Sequence, residues 1–327
     1  MNFTVPTLSR LTVWITGLLL ALCVSALQAA ERIELIVTVN AGSAPDLLAR
    51  VLADILRESD YEVTIKNIPG ANGEIGLQTL MQSGSSRLTF LVAPNSLVVI
   101  NPHLYRRSLG DGEWSGTQPV IFLGRNTSNF VVVRADSTFQ TLDDLMRIPK
   151  AEGGVVKYAT NGVGSLYHLA FEKIFFSLGD LPRVHVPYKS NSEVVQSLIA
   201  GDVDVAIAGT STLPLLKAHR LKVIGVLGHQ VSDLYPDAPP LSHRFPDMPS
   251  APWFALVANR SISSAQLQDV RDKLRLGMRR EHERDKLRKH GIQVEELREK
   301  QFLSNWQKEF AFFRSMVRKL QIEKVSE

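Results

Sequence analysis

Residues 158–179, YATNGVGSLYHLAFEKIFFSLG, set a run of small and polar residues between a short apolar stretch and an apolar helix. A simple turn needs two residues, whereas the stretch from Thr160 to Ser165 brings a length of backbone to the surface. The spacing predicts a strand ending at Ala159 and a helix beginning near Ser165, a residue type that favours the N-cap. Gly162 and Gly164 permit positive φ and let a guest approach the peptide N–H groups closely. The first turn of a helix carries unpaired amide donors and a partial positive charge. Such a loop suits a carboxylate or phosphate without needing a charged side chain. It is not a dinucleotide fingerprint, because Tyr167 stands at the third glycine position, and no Gly-Lys-Ser/Thr follows to make a P-loop. On this segment alone, the two glycines serve equally as an ordinary strand-to-helix connection.

Working outward, the same strand–loop–helix pattern recurs. IELIVTV (33–39) is a β-branched apolar run, read as a buried strand. PDLLARVLADILRES follows, with Leu47, Leu48, Val51, Leu52, Ile55 and Leu56 at helical spacing and Pro45 in the first turn. EVTIKN, LTFLV, VIFLG, NFVVVR, VVKYA, RVHV, VDVAIA, LKVIGVL and WFALVA read as further strands, with PGANGEIG as a glycine-rich helix start and SEVVQSLIA as a helix. Alternating elements of this kind build α/β sheets covered by helices. The charged helices after WFALVA have no nearby strands of their own and are expected to pack back on the first half of the chain. The expected architecture is therefore a two-lobed α/β fold of the periplasmic-binding-protein type (type II-like). Each lobe is a mixed sheet flanked by helices, with a cleft between. Residues 31–133 and 255–327 form a discontinuous first lobe and 134–254 the second, with chain crossings near Val133 and Ala255. Two further loops fall at strand ends, where ligands of open α/β sheets bind. VNAGSAPD offers Gly42, Ser43 and Ala44, and APNSL offers Asn95 and Ser96.

Composition bounds the function. A chain of 327 residues suits two domains, and 44% hydrophobic with 21% charged residues excludes both a disordered chain and a polytopic membrane protein. The net charge of +4 is concentrated late, in RDKLRLGMRREHERDKLRKH. That run also carries Asp272, Glu281, Glu283 and Asp285 and reads as a solvated helix face, not a nucleic-acid patch. At the N-terminus Arg10 precedes LTVWITGLLLALCVSALQAA, and no acid appears before Glu31. A basic flank, a short apolar core and Ala29-Ala30 spell a cleavable export signal over residues 1–30, with a periplasmic destination. The only cysteine, Cys23, lies within it, so the mature chain is expected to hold no disulfide or thiolate metal site.

Catalysis finds little support. Ser165 and His168 are three apart on one helix, but no G-x-S-x-G elbow is present and no acid is placed to orient the imidazole. The eight histidines are scattered without ligand spacing, so no metal and no cofactor is expected.

The ordered set DLLARVLA, PGANGEIG, NPHLY, YATNGVGSLYHLA, HVPYK, AGDVDVAIA and WFAL, from about Ile33 to near Ile322, resembles the Bug-type extracytoplasmic solute-binding receptors of tripartite tricarboxylate transporters. The resemblance implies a non-enzymatic, monomeric periplasmic receptor that closes on a small organic acid and delivers it to membrane permease subunits. It implies ligand contacts at Gly42, Ser43 and Asp46 in the first loop, at Asn95, and at Thr160, Gly162, Gly164, Ser165 and His168 in the second. The first loop departs from the family pattern. Val39, Asn40, Gly42 with Ser43, and Pro45 stand where an aromatic, proline, paired glycines and threonine are usual, and proline removes one amide. AIAGTST is also shorter than the family's segment and lacks its Asp or Asn. A signalling or accessory protein on the same fold is the alternative. A secreted hydrolase using Ser165 and His168 is a remote third.

Overall fold

The computed structural model describes residues 31–84, 87–105, 116–147, 154–228, 231–232, 235–245, 248 and 251–322; the expected leader and Cys23 lie outside them. In chain order the elements are β1 (Arg32–Val37), α1 (Ala44–Arg57), β2 (Glu62–Asn67), α2 (Glu74–Gln82), β3 (Leu88–Pro94), α3 (Asn101–Leu104), β4 (Thr117–Asn126) and β5 (Phe130–Arg134). There follow β6 (Val156–Thr160), α4 (Leu166–Ser177), β7 (Arg183–Pro187), α5 (Asn191–Ala200), β8 (Val205–Ala208), α6 (Leu213–Lys217), β9 (Leu221–Val226) and α7 (Leu241–Arg244). The chain ends with β10 (Trp253–Asn259), α8 (Ser264–Met278), α9 (Glu281–Arg288), β11 (Ile292–Gln293) and α10 (Glu299–Lys319).

Among these residues the strands form two mixed sheets. The first has the order β11-β4-β10-β3-β1-β2 and the second β7-β6-β8-β5-β9. In each, a parallel trio (β2-β1-β3, or β7-β6-β8) is completed by an antiparallel return strand, β10 against β3 and β5 against β8. Six of the seven residues of β3 are buried, which is why it reads as a continuous apolar run and not an alternating one.

The expected crossings, near Val133 and Ala255, both fall inside strands. Val131 and Val132 pair with β8 and β9 in the second sheet, and Ala255 pairs with β3 and β4 in the first. The chain therefore passes between sheets at 127–129 and returns between 227 and 252. All five residues of β5 pair within the second sheet, so the crossing has to precede them. The two passages brace one another: Asn126 N–H donates to Pro252 C=O at 2.7 Å and Leu227 N–H to Asn129 C=O at 2.8 Å.

The last helices do pack on the first sheet. Leu267, Val270, Leu274 and Met278 of α8 join Leu48, Leu52 and Ile55 of α1 in one apolar cluster. Helix α10 covers the opposite face, where Trp306 and Phe310 lie in a core that runs from Leu91 and Phe122 of the first sheet to Tyr158 and Ile207 of the second. The passage 96–104 sits in that core. It opens with a π-type turn over Ser96–Ile100, in which Asn101 N–H reaches back to Ser96 C=O.

Candidate functional site

The first loop begins where β1 ends. Gly42 takes φ +82°, and its N–H donates to Asp46 Oδ2 at 2.9 Å. Asp46 is fully buried and also accepts from Asn67 Nδ2 at 3.0 Å and Arg50 Nε at 2.9 Å. Burial pushes its carboxyl up, but Gly42, Asn67 and Arg50 more than offset this and hold it below the ordinary carboxylate range. Asp46 is thus the post around which the loop is wound, and the amide of Gly42 is used in winding it. The Ser43 hydroxyl likewise turns inward, donating to Asn40 C=O at 2.7 Å. With Pro45 lacking an N–H, the amides this helix mouth can offer a guest are those of Ala44 and Asp46.

The second loop follows β6. Ser165 is the N-cap of α4, accepting from His168 N–H at 3.2 Å. Gly164 takes φ +75°, and its N–H donates to Nδ1 of the His168 ring at 3.1 Å. The first-turn amides of Leu166 and Tyr167 have no acceptor within the helix and remain for a ligand. Thr160, fully buried, donates its hydroxyl to Gly162 C=O at 3.1 Å and meets His185 Nε2 at 2.7 Å. His168, His185 and Tyr158 stack behind the loop, with centroids 4.1 Å apart for the two imidazoles and 4.8 Å for Tyr158 on His185. Burial lowers both imidazoles, His185 to about 3, so both are neutral near pH 7. Beneath them Tyr158 donates to Glu172 at 2.5 Å, and Arg183 Nη2 meets the same carboxylate at 2.6 Å.

Connections of the first sheet reach across to the second loop. The side chain of Asn72, itself at φ +50°, donates to Gly164 C=O at 3.4 Å, and Tyr105 O–H donates to Val163 C=O at 3.3 Å. A Cβ on Gly164 would stand 2.5 Å from Leu104 Cδ1. A Cβ on the neighbouring Gly73 would be in contact with both Thr38 and Leu97, so the ends of β1 and β3 share this space.

Among the described residues, the buried side-chain atoms without a hydrogen-bond partner include Thr38 Oγ1, Asn95 Nδ2, Asn161 Oδ1 and Asn191 Oδ1. They stand after β1, β3, β6 and β7, the carboxyl ends of parallel strands in both sheets. Tyr188 N–H, bonded to Thr160 C=O at 2.9 Å, ties the last of these segments to the second loop. A buried unpaired polar atom costs about 1–3 kcal/mol, so the four at these strand ends make a candidate site for a polar guest. Of the residues singled out in the sequence, Asn95 carries such an atom, while Gly42, Asp46, Thr160, Gly164 and His168 are engaged in shaping the loops. Thr38, Asn161 and Asn191 were missed. Their signal is a polar residue directly following a strand or opening the next helix.

Two chemistries find no geometry here. The acceptor nitrogen of His168 is occupied by Gly164 N–H, and no bond joins its ring to Ser165 Oγ among the described residues. No group of His, Cys, Asp or Glu able to hold a metal is present among them either.

The family model described as "Tripartite tricarboxylate transporter family receptor" matches residues 48–322. The protein BugT of Bordetella pertussis is 28% identical over 237 residues, spanning 70% of this chain and 71% of that one. An R. palustris protein solved with adipate superposes with TM-score 0.81 at 21% identity, over 91% of this chain and 100% of that one. MatC from Rhodopseudomonas palustris, solved with bound malate, gives 0.75 at 17%, over 88% and 99%.

Proposed function

The chain belongs to the tripartite tricarboxylate transporter receptor family, and on that premise we propose that it captures a small organic acid in the crevice between its sheets. Donors that would meet the carboxylate are the first-turn amides of α1 and α4, the Thr38 hydroxyl and the Asn95 carboxamide. Asn161 and Asn191 would hold the rest of the guest. The observation that carries the reading is the set of four unpaired buried polar atoms at the carboxyl ends of parallel strands in both sheets. The relatives solved with adipate and malate support the choice of ligand class. The proposed lobes follow the sheets, 31–126 with 253–322 and 130–226, and close by rotation about the two passages. A guest touching both loops favours the closed form by its differential affinity for it. In this proposal the protein is exported by its leader, acts as a monomer in the periplasm, and presents the closed form to permease subunits.

Each hydrogen bond to a carboxylate contributes about 1.5–3 kcal/mol, so roughly four at mid-range sum to the approximately 8 kcal/mol of micromolar affinity. A thermal-shift screen over adipate, malate, citrate, aromatic acids and amino acids tests the reading. A ligand at a hundred times its Kd stabilises by about 2.7 kcal/mol and raises Tm by several degrees. A transition unmoved by every acid removes the proposal. Asn161→Ala, which deletes an unpaired group without touching the loop's internal bonds, should weaken the binding acid in calorimetry while leaving Tm of the free protein unchanged or raised.

A further inference from the structure

A cavity of about 660 Å³ lies away from both loops, at the passages between the sheets. Its walls include Thr127 from one passage and Leu227, Gly228 and Ala251 from the other, so an occupant touches both strands of the hinge. None of the loop residues that shape the crevice lines it. Its volume falls within the range of small-molecule pockets.

The lining has a consistent chemistry. Phe122, Trp253 and Phe302 pack as a tilted and edge-to-face trio, with centroids 5.5–5.8 Å apart, and Trp306 stands beside them on α10. Two carboxylates reach the cavity and both are committed: Glu295 accepts from Arg125 Nε at 2.8 Å, and Glu309 accepts from Trp253 Nε1. Of the two cations, Arg125 is paired and lies over the Phe122 ring, whereas Lys308 has no ion pair among the described residues. An aromatic floor with one uncommitted ammonium at its rim selects a flat ring bearing a negative charge.

We propose that this cavity is a second ligand site, for planar aromatic anions, set at the hinge and separate from the crevice. Because both passages form its walls, its occupancy also biases the angle between the sheets, which couples it to the crevice.

Naphthalene-1-sulfonate is the probe. In calorimetry with the mature protein it should bind one-to-one, and it should quench the fluorescence of Trp253 and Trp306. Two substitutions at exposed positions of α10 test the placement. Lys308→Glu should weaken the sulfonate at least tenfold, and Asn305→Phe, which fills the mouth, should abolish one-to-one binding. Absence of saturable binding up to millimolar probe, or wild-type affinity in either variant, overturns the proposal. Both measurements are made on acid-free protein, so neither requires that the crevice bind an organic acid.

Discussion

Gly164 shows how much one residue position decides. It holds φ +75°, and a side chain there would run into Leu104 across the crevice, while Gly42 holds φ +82° in open space. Alanine at either site meets about 1–2 kcal/mol of backbone strain. At Gly164 the collision with Leu104 is added, so Gly164→Ala should be the costlier of the two in urea unfolding. Equal costs would mean that Leu104 gives way freely. The paired imidazoles make a second residue-level expectation. Both are held neutral below the ordinary histidine range, His185 to about 3, so the native state binds fewer protons than the unfolded chain. Stability should therefore be level above about pH 6.5 and fall as pH drops below it. The slope approaches about 1.4 kcal/mol per pH unit for His185, and His168 adds a contribution of the same sign. Between pH 6.5 and 5 carboxylates contribute little, so this window isolates the histidines. His185→Gln should make the slope there shallower; an unaltered slope would assign it elsewhere.

At the scale of elements, β7 is an edge strand secured to α4 by ions. Arg183 Nη2 meets Glu172 at 2.6 Å, and the cation and the Tyr158 hydroxyl outweigh burial in holding that carboxyl below its ordinary range. Arg183→Met strands a buried charge and should cost about 3–5 kcal/mol, most of it recovered in the double variant with Glu172→Gln. A double-mutant cycle in denaturant reads this directly, and strict additivity would show the pair uncoupled. Elements with one dominant period were legible before any coordinates. EVTIKN became β2 residue for residue, and Ser165 became the cap of α4. The passage 96–104 was not, because SLVVI is as apolar as a strand and its π-type turn depends on packing under α10, where Trp306 Nε1–H reaches Val98 C=O at 3.1 Å. The site was half legible for a related reason. A glycine loop announces that amides are exposed, but not that Asp46 and His168 will claim those of Gly42 and Gly164. Those bonds are local and strong, so they are made before any guest arrives.

The whole molecule is held by three unequal joints. The passages brace one another through main-chain bonds, and the apolar layer from Leu91 to Tyr158 runs across one side. On the crevice side, among the described residues, two long bonds bridge the sheets, Asn72 to Gly164 C=O at 3.4 Å and Tyr105 to Val163 C=O at 3.3 Å. Burial pushes the Tyr105 phenol up to about 12, so it remains a donor throughout the physiological range. In the proposed closure these bridges break as the crevice opens and re-form as it shuts, so they would bias the equilibrium that a ligand exploits. The double variant Asn72→Gly with Tyr105→Phe removes both. Glycine also relieves the positive φ at residue 72, which offsets the loss of the bond from Asn72 Nδ2 to Asn101 Oδ1 at 2.6 Å. Two bonds of this length contribute about 1–2 kcal/mol together, a factor of roughly 5–30 in the closed-to-open ratio. Affinity for the bound acid should fall by up to that factor, because apparent affinity scales with the competent fraction. The radius of gyration of the free protein in X-ray scattering should rise with it. Unchanged affinity and unchanged scattering would assign the angle between the sheets to the passages and the apolar layer alone.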